Sequence, residues 1–305
     1  MLYDFTILLL GLLILVKASS ITISNAVKIS KLSGISELAI GFILIAVSTS
    51  IPEMAIAIIS SFEGHNAISF GNLIGANIAN LTLVFAVMAF YGASFRMRGV
   101  VEIDKAIILT TMVALLLMII GKSDFIFGVF CVSLFYMFSS FVYNHEIKLN
   151  NFRGLKTVET LKSLFFVVAS VFAIVISAHF VVNAAIAIAS DLGVSETILG
   201  ATILALGTTL PELTVNLAAI KQRRYSIAIG DSIGSILTNL TLVLGIASII
   251  SPIIVTPQSF VLLASLIFVN LFFVFIARRK FGLTEGAALF SVYALYILTV
   301  TIYAA

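Results

Sequence analysis

The sequence predicts an all-α integral membrane protein with ten transmembrane helices in two inverted five-helix repeats. Three observations carry that prediction. Of 305 residues, 61% are hydrophobic and 10% charged, with a mean hydropathy of +1.22; a globule of this size has too little interior to hide that apolar surface, so lipid must cover it. Apolar stretches of about 20 residues, the length that crosses a bilayer core as a helix, follow one another along nearly the whole chain, without the short alternation a barrel requires. The chain also repeats itself. GFILIAVSTSIPEM at 41–54 aligns without a gap on GATILALGTTLPEL at 200–213, and GNLIGANIANLTLV at 71–84 on GDSIGSILTNLTLV at 230–243, every residue 159 positions from its counterpart. Five spans per copy place the copies upside down relative to each other, an arrangement that points to a transporter.

Polar breaks cut the chain into spans near 4–27, 37–61, 66–92, 103–121, 124–144, 162–189, 196–220, 225–251, 257–277 and 283–304. The first repeat is thus expected at 1–144, a polar linker at 145–161 and the second repeat at 162–305. The opening MLYDFT lacks the basic start and small-residue cleavage site of a secretory signal, so the first apolar run reads as a span. A single cysteine, Cys131, allows no internal disulfide.

With the N-terminus outside, fifteen of the seventeen basic residues fall in inner loops, among them Arg96, Arg98, Lys148, Arg153, Lys156, Arg223, Arg224, Arg278 and Arg279. The positive-inside rule then fixes the orientation, with both termini outside and the 145–161 linker in the cytoplasm. The net charge of +3 therefore has a topological cause and calls for no nucleic-acid partner. Lys122 is the one basic residue in an outer loop. Lys17 lies in the first span, where a lysine in the inner half of a tilted helix snorkels to the interface. The short inner linker suggests a prokaryotic plasma membrane.

An ionisable residue at membrane depth is costly and persists where it faces a cavity, a partner or an ion. Glu53 and Glu212 are such residues, each following a proline, Pro52 or Pro211, whose missing amide interrupts the helix and exposes carbonyls on the preceding turn. Ala46, Thr49 and Ser50 lie on one such turn, and Ala205, Thr208 and Thr209 on the other. Their carbonyl and hydroxyl oxygens, joined to two carboxylates, suit a hard cation: Ca2+ takes about six to eight oxygens and favours anionic ligands. No buried Cys or His cluster offers the softer ligands of zinc or copper.

Asn80 and Asn239, each followed by Leu-Thr-Leu-Val, supply an amide at matching depth, able to ligate a cation or to bond a neighbouring carboxylate. Gly71, Gly75, Gly230 and Gly234 permit close backbone approach. Asp231 breaks the symmetry, since its counterpart is Asn72. It forms an i, i+4, i+8 row with Ser235 and Asn239 and, lying near the inner interface, reads as a solvated entrance carboxylate. His179 has no partner within its own span and reads as a packing or interhelical hydrogen-bonding residue.

The motifs STSIPE and GTTLPE, with GANIAN and GSILTN, resemble the two alpha repeats of the cation/Ca2+ antiporter superfamily, most closely its Na+/Ca2+ exchanger branch. The resemblance implies alternate binding of Ca2+ and Na+ as transported ions at a central diamond of four helices, no bound cofactor, and a pair of long gating helices, here 4–27 and 162–189. By similarity, Glu53 and Glu212 are the central ligands of both ions, and Thr49 and Thr208 give backbone oxygens to Ca2+. Ala46, Ser50 and Ser235 resemble a Na+ site leaning on Glu212, while Ala205 and Thr209 resemble its mirror leaning on Glu53. Asn80 and Asn239 match the remaining central pair. Two positions depart from the pattern: Ala76 stands where the mirror site usually has serine, and Asn239 where several relatives have aspartate.

The expected function is antiport of Ca2+ against Na+, with Ca2+/H+ or K+-assisted exchange as the alternative inside the transporter class and a cation channel as a remote one. An enzyme is not expected. Gly230-Asp231 faintly resembles the motif of intramembrane aspartyl proteases, yet there is no second intramembrane aspartate for a dyad, and neither HExxH nor GxSxG occurs.

Overall fold

A backbone amide facing lipid finds no water, so each membrane segment must satisfy its own hydrogen bonds, and a helix does so within itself. The computed structural model describes residues 2–30, 45–91, 95–96, 100–146, 157–221 and 223–302. Its first half holds helices Leu2–Ser30, Ala46–Thr49 with Ile51–Phe62, Asn66–Phe90, Val100–Ile120 and Phe125–Glu146. Its second half repeats that order with Thr157–Leu192, Glu196–Lys221, Tyr225–Ile250, Pro257–Ala277 and Leu283–Ile302. Among the described residues seven helices are long and apolar enough to cross a membrane.

Large apolar side chains left exposed, such as Leu13, Met112, Ile119, Ile126, Phe172, Phe268 and Leu271, ring the outside, as lipid-facing residues should. Helical backbone reaches Glu146 and resumes at Thr157, covering both ends of the expected linker. Residues 147–156, with Lys148, Arg153 and Lys156, and residues 31–44, where the expected second span begins, lie outside the described residues.

Four two-residue strands make the inversion visible. Phe95–Arg96 pairs with Lys280–Phe281, and Lys122–Ser123 with Ile253–Ile254, both antiparallel. The 159-residue offset carries Phe95 onto Ile254 and Lys122 onto Phe281, so each ladder is the other's image under exchange of the repeats. One lies beside Arg278, which meets Asp104 at 3.4 Å, in the region assigned to the inside by charge. The other lies beside Lys122 and Asp124, 3.4 Å apart. Asp124 also caps the next helix, accepting from the Phe127 amide at 3.1 Å; that bond first, aided by Lys122, holds its carboxyl below the usual aspartate range.

Two layers result. The larger core gathers the Asn66–Phe90 and Tyr225–Ile250 helices with those that follow them, around Phe70, Leu73, Phe85, Leu240, Leu266 and Phe273. The second packs Leu2–Ser30 against Thr157–Leu192 through Leu8, Leu12, Leu15, Ile174, Ala178 and Val181, with the Ser177 hydroxyl donating to the Gly11 carbonyl at 2.7 Å. This long pair leans on the centre at Gly207, where a Cβ would meet the Leu12 side chain at 2.7 Å.

Central helices from opposite repeats touch backbone to backbone. A Cβ on Gly71 would stand 2.1 Å from the Thr197 carbonyl oxygen, and one on Gly75 2.4 Å from that of Ala201. Only glycine permits such an approach.

Candidate cation site

Both central interruptions sit at the proline. Ala46–Thr49 ends at Ser50, whose ψ of 6° departs from helical values, and the helix restarts at Ile51 with Pro52 in its first turn. The second repeat does the same at Thr209, with ψ of −6°, before Leu210–Lys221. Pro has no N–H to give the carbonyl four residues earlier, so the ladder changes partners there. The carbonyls of Ala46 and Ala205, expected to be exposed, each still accept an amide, from Ser50 at 3.0 Å and Thr209 at 3.1 Å. Each also accepts a hydroxyl, Ala46 from Thr49 at 3.1 Å and Ala205 from Thr209 at 2.6 Å, so a cation ligated by either carbonyl takes the place of that rotatable donor.

Glu53 and Glu212 stand one turn beyond these breaks, both completely buried, and all four carboxylate oxygens lack a hydrogen-bond partner. Buried acceptors are almost always paired, so four orphans at two symmetry-related positions are the signature of a group the protein is built to receive. Thr208 stands beside Glu53 and Thr49 beside Glu212, so each carboxylate faces a threonine of the opposite repeat. The Ser50 hydroxyl is also buried without a partner, whereas Thr209 donates to the Ala205 carbonyl at 2.6 Å.

Asn80 is buried with both amide atoms unpartnered. Asn239 donates to Asn77 Oδ1 at 3.0 Å and keeps its own oxygen free. A five-residue π-helical turn begins at each of them, Asn80–Val84 and Asn239–Val243. Such widened turns are rare and concentrate at functional sites, because the extra residue re-aims a side chain out of the regular helical row. A third π turn, Gly200–Leu204, precedes the second-repeat break.

The threonines are braced across the repeat boundary. Thr49 donates to Asp231 Oδ1 at 3.1 Å and lies 3.2 Å from the Ser235 hydroxyl, and Thr208 donates to Asn72 Oδ1 at 3.1 Å. Asp231 and Asn72 are repeat counterparts, so one brace carries a charge and the other does not. This corrects the reading of Asp231 as a solvated entrance carboxylate, for it is wholly buried. Its position near a helix end implied access to water, but the Ala46–Thr49 turn packs over that face.

His179 pairs across helices with Glu63, Nδ1 to Oε1 at 2.8 Å. Among the described residues no three His, Cys, Asp or Glu side chains converge on one metal position, so a cation bound here draws most of its ligands from neutral oxygens.

Asn216 and Asn77 went unnoticed in the sequence. Asn216 is buried and donates to the Ser232 hydroxyl at 2.9 Å, and Asn77 anchors Asn239. Their signal was a mismatch between the repeats, since Asn216 stands opposite Ala57 and Asn77 opposite Ile236.

Two inverted helical repeats, meeting where paired buried carboxylates and neutral oxygens lack partners, define a membrane transporter of hard cations. The chain belongs to the sodium/calcium exchanger protein family, which it matches over residues 3–144 and 162–302. It is 32% identical to the sodium/calcium exchanger MaX1 of Methanosarcina acetivorans, over 84% of this chain and 85% of that protein. It is 28% identical to an uncharacterised membrane protein of Methanocaldococcus jannaschii, over 95% of each. Among solved structures, the sodium-calcium exchanger NCX_Mj soaked with Na+ and Sr2+ superposes with a TM-score of 0.72 at 25% identity, covering 98% of this chain and 99% of that one. The ten-helix, two-repeat fold is common to both. Proteins of this family are transporters, not enzymes, and Ca2+ and Na+ are their cargo, carried without a bound cofactor.

Proposed function

We propose that this chain exchanges Ca2+ for Na+ by alternating access, with one set of oxygens serving both ions in turn. The observation that carries this reading is the pair Glu53 and Glu212, fully buried at matching breaks with all four carboxylate oxygens unpartnered. Two carboxylates balance one Ca2+. Thr49 and Thr208 add oxygens to the Ca2+ position. Ala46, Ser50 and Ser235 form a Na+ position beside Glu212, Ala205 and Thr209 its mirror beside Glu53, and Asn80 and Asn239 complete the centre. The Leu2–Ser30 and Thr157–Leu192 pair slides over this centre to change its exposure. Support comes from its apolar packing on the centre, through Ala55, Ile56, Leu199 and Leu204, which carries no directional bond that sliding would break. The name of MaX1 and the Na+ and Sr2+ soaks of NCX_Mj agree with this choice of ions.

The repeats span 1–144 and 162–305, the linker between them is cytoplasmic, both termini face outward, and the membrane is a prokaryotic plasma membrane. The charge asymmetry of the loops supports that orientation. A cysteine introduced at Lys156 is expected to resist an impermeant thiol reagent applied outside intact cells and to react once the membrane is opened. Labelling from outside reverses the orientation.

Coupling is tested by Ca2+ uptake into proteoliposomes under imposed Na+, H+ or K+ gradients, where Na+ is expected to drive it. Ala76 is buried in the position repeat-related to Ser235, so Thr208 lacks the hydroxyl neighbour that Thr49 has. Na+ carries half the charge of Ca2+ and depends more on its neutral oxygens. Ala76→Ser should therefore lower the half-saturating Na+ concentration, by about threefold to tenfold for one added ligand, while moving that of Ca2+ less. Uptake that ignores Na+ and follows an imposed pH gradient, unchanged by Ala76→Ser, establishes the Ca2+/H+ alternative instead.

A further inference from the structure

The repeats differ in polarity on one side of the site. Asp231, Ser232, Ser235 and Asn216 occupy positions whose first-repeat counterparts are Asn72, Leu73, Ala76 and Ala57. All four second-repeat side chains are fully buried, as are their counterparts. Three buried apolar positions have thus become polar and one neutral position has become charged. Each such change costs desolvation unless a partner offsets it.

The four belong to one cluster. Asn216 donates to Ser232 Oγ at 2.9 Å and stands beside Asp231. Asp231 Oδ1 takes the Thr49 hydroxyl at 3.1 Å, and Ser235 lies 3.2 Å from that same hydroxyl. Two acceptors are left over, Asp231 Oδ2 and Asn216 Oδ1, both buried without a partner. A buried carboxylate oxygen and a buried amide oxygen left without donors in one cluster call for a positive charge with no directional demand, which describes a metal cation better than a hydrogen-bond donor.

We propose that this cluster is an additional binding site for one monovalent hard cation, Na+ or K+, present on the second repeat only. Asp231 supplies the charge, and Asn216, Ser232 and Ser235 supply neutral oxygens. One carboxylate balances one positive charge, whereas Ca2+ would be left underbalanced here and finds its second carboxylate only at the glutamate pair. All-oxygen ligation excludes the softer transition metals. The inference rests on the exchange reading, to which it adds an ion whose binding reaches Glu212 through Thr49.

The test uses the purified full chain. Its thermal midpoint is followed as NaCl or KCl replaces choline chloride at constant ionic strength, for wild type, Asp231→Asn and Asn216→Ala. Each substitution installs the residue that the other repeat already packs at the equivalent position. Wild type should be stabilised by the cation that binds, and both variants should need about tenfold more of it, or more, to reach the same shift, with a smaller change for Ca2+.

Identical titrations for wild type and both variants overturn the site, as does a wild-type midpoint indifferent to Na+ and K+. If Asp231→Asn does not fold, the uncharged change Asn216→Ala decides alone. Ca2+ flux in proteoliposomes under a Na+ gradient separates the two readings. Wild-type flux that ignores Na+, with the titration shift intact, removes the Ca2+/Na+ assignment and keeps the site; normal flux with no shift removes the site and keeps the assignment.

Discussion

Glu53→Gln and Glu212→Gln should each abolish Ca2+ transport while leaving the protein folded and inserted. Glutamine keeps the shape of glutamate, so the packing around these fully buried positions is undisturbed. What changes is the charge. Ca2+ between two carboxylates becomes Ca2+ beside one, in a place where water cannot supply the difference. A loss of at least roughly 100-fold in apparent affinity, about 2.8 kcal/mol at 1.4 kcal/mol per tenfold, is expected for either variant. Each carboxylate is buried with both oxygens unpartnered, so both variants should lose transport. The measurement is initial Ca2+ uptake into proteoliposomes, with a normal gel-filtration profile as evidence of folding. Near-normal uptake by either variant would overturn the central assignment.

Gly71→Ala should destabilise the protein and impair transport even though Gly71 ligates nothing. Its new methyl would stand 2.1 Å from the Thr197 carbonyl oxygen and 2.9 Å from the Ala201 amide nitrogen. Both are backbone atoms, which cannot rotate aside as a side chain end can, so the two central helices must separate. Overpacking of this kind costs about 1–3 kcal/mol or more, and separation also stretches the nearby bond from Thr208 to Asn72. Gly282→Ala is the matched control, because its methyl would meet only the Glu285 Oε2 at 3.7 Å. Thermal unfolding of the two variants in the same detergent should place the Gly71 change well below wild type and the Gly282 change beside it. Coincident midpoints would mean that the central helices are not in backbone contact.

The sequence displayed the span plan and the two glutamates clearly, because both rest on strong energetic rules. Twenty apolar residues have few places to go other than a bilayer, and a carboxylate within such a stretch needs a reason to be there. The inversion was legible from five spans per copy, and the strand pairs at opposite faces bear it out. Less legible were features that depend on what packs against what. The π turns at Asn80 and Asn239 leave no mark on composition, since Asn-Leu-Thr-Leu-Val would continue an ordinary helix equally well. Asp231 was misjudged because distance along a helix reports depth, whereas burial depends on the opposing segment. Asn216 and Asn77 were not legible from the repeat, because their counterparts, Ala57 and Ile236, are apolar.

The braces across the repeat boundary also bear on how the chain is made. Thr49 and the aspartate that holds it are 182 residues apart, and at roughly 5–20 residues per second about 10 to 40 seconds separate the synthesis of one from the other. During that interval the first repeat is completed with Glu53 in place and none of the central second-repeat side chains that will surround it. A lone carboxylate at the centre of an inserted helix costs about 2.5–3.5 kcal/mol, so the early helices wait in a state that binding energy has not yet repaid. Contacts of such long sequence separation also form late and slowly. The two-fold design that makes a shared ion site from two halves therefore leaves each half unable to finish alone, and Glu53 gains its second-repeat neighbours only once the second proline-glutamate turn has entered the membrane.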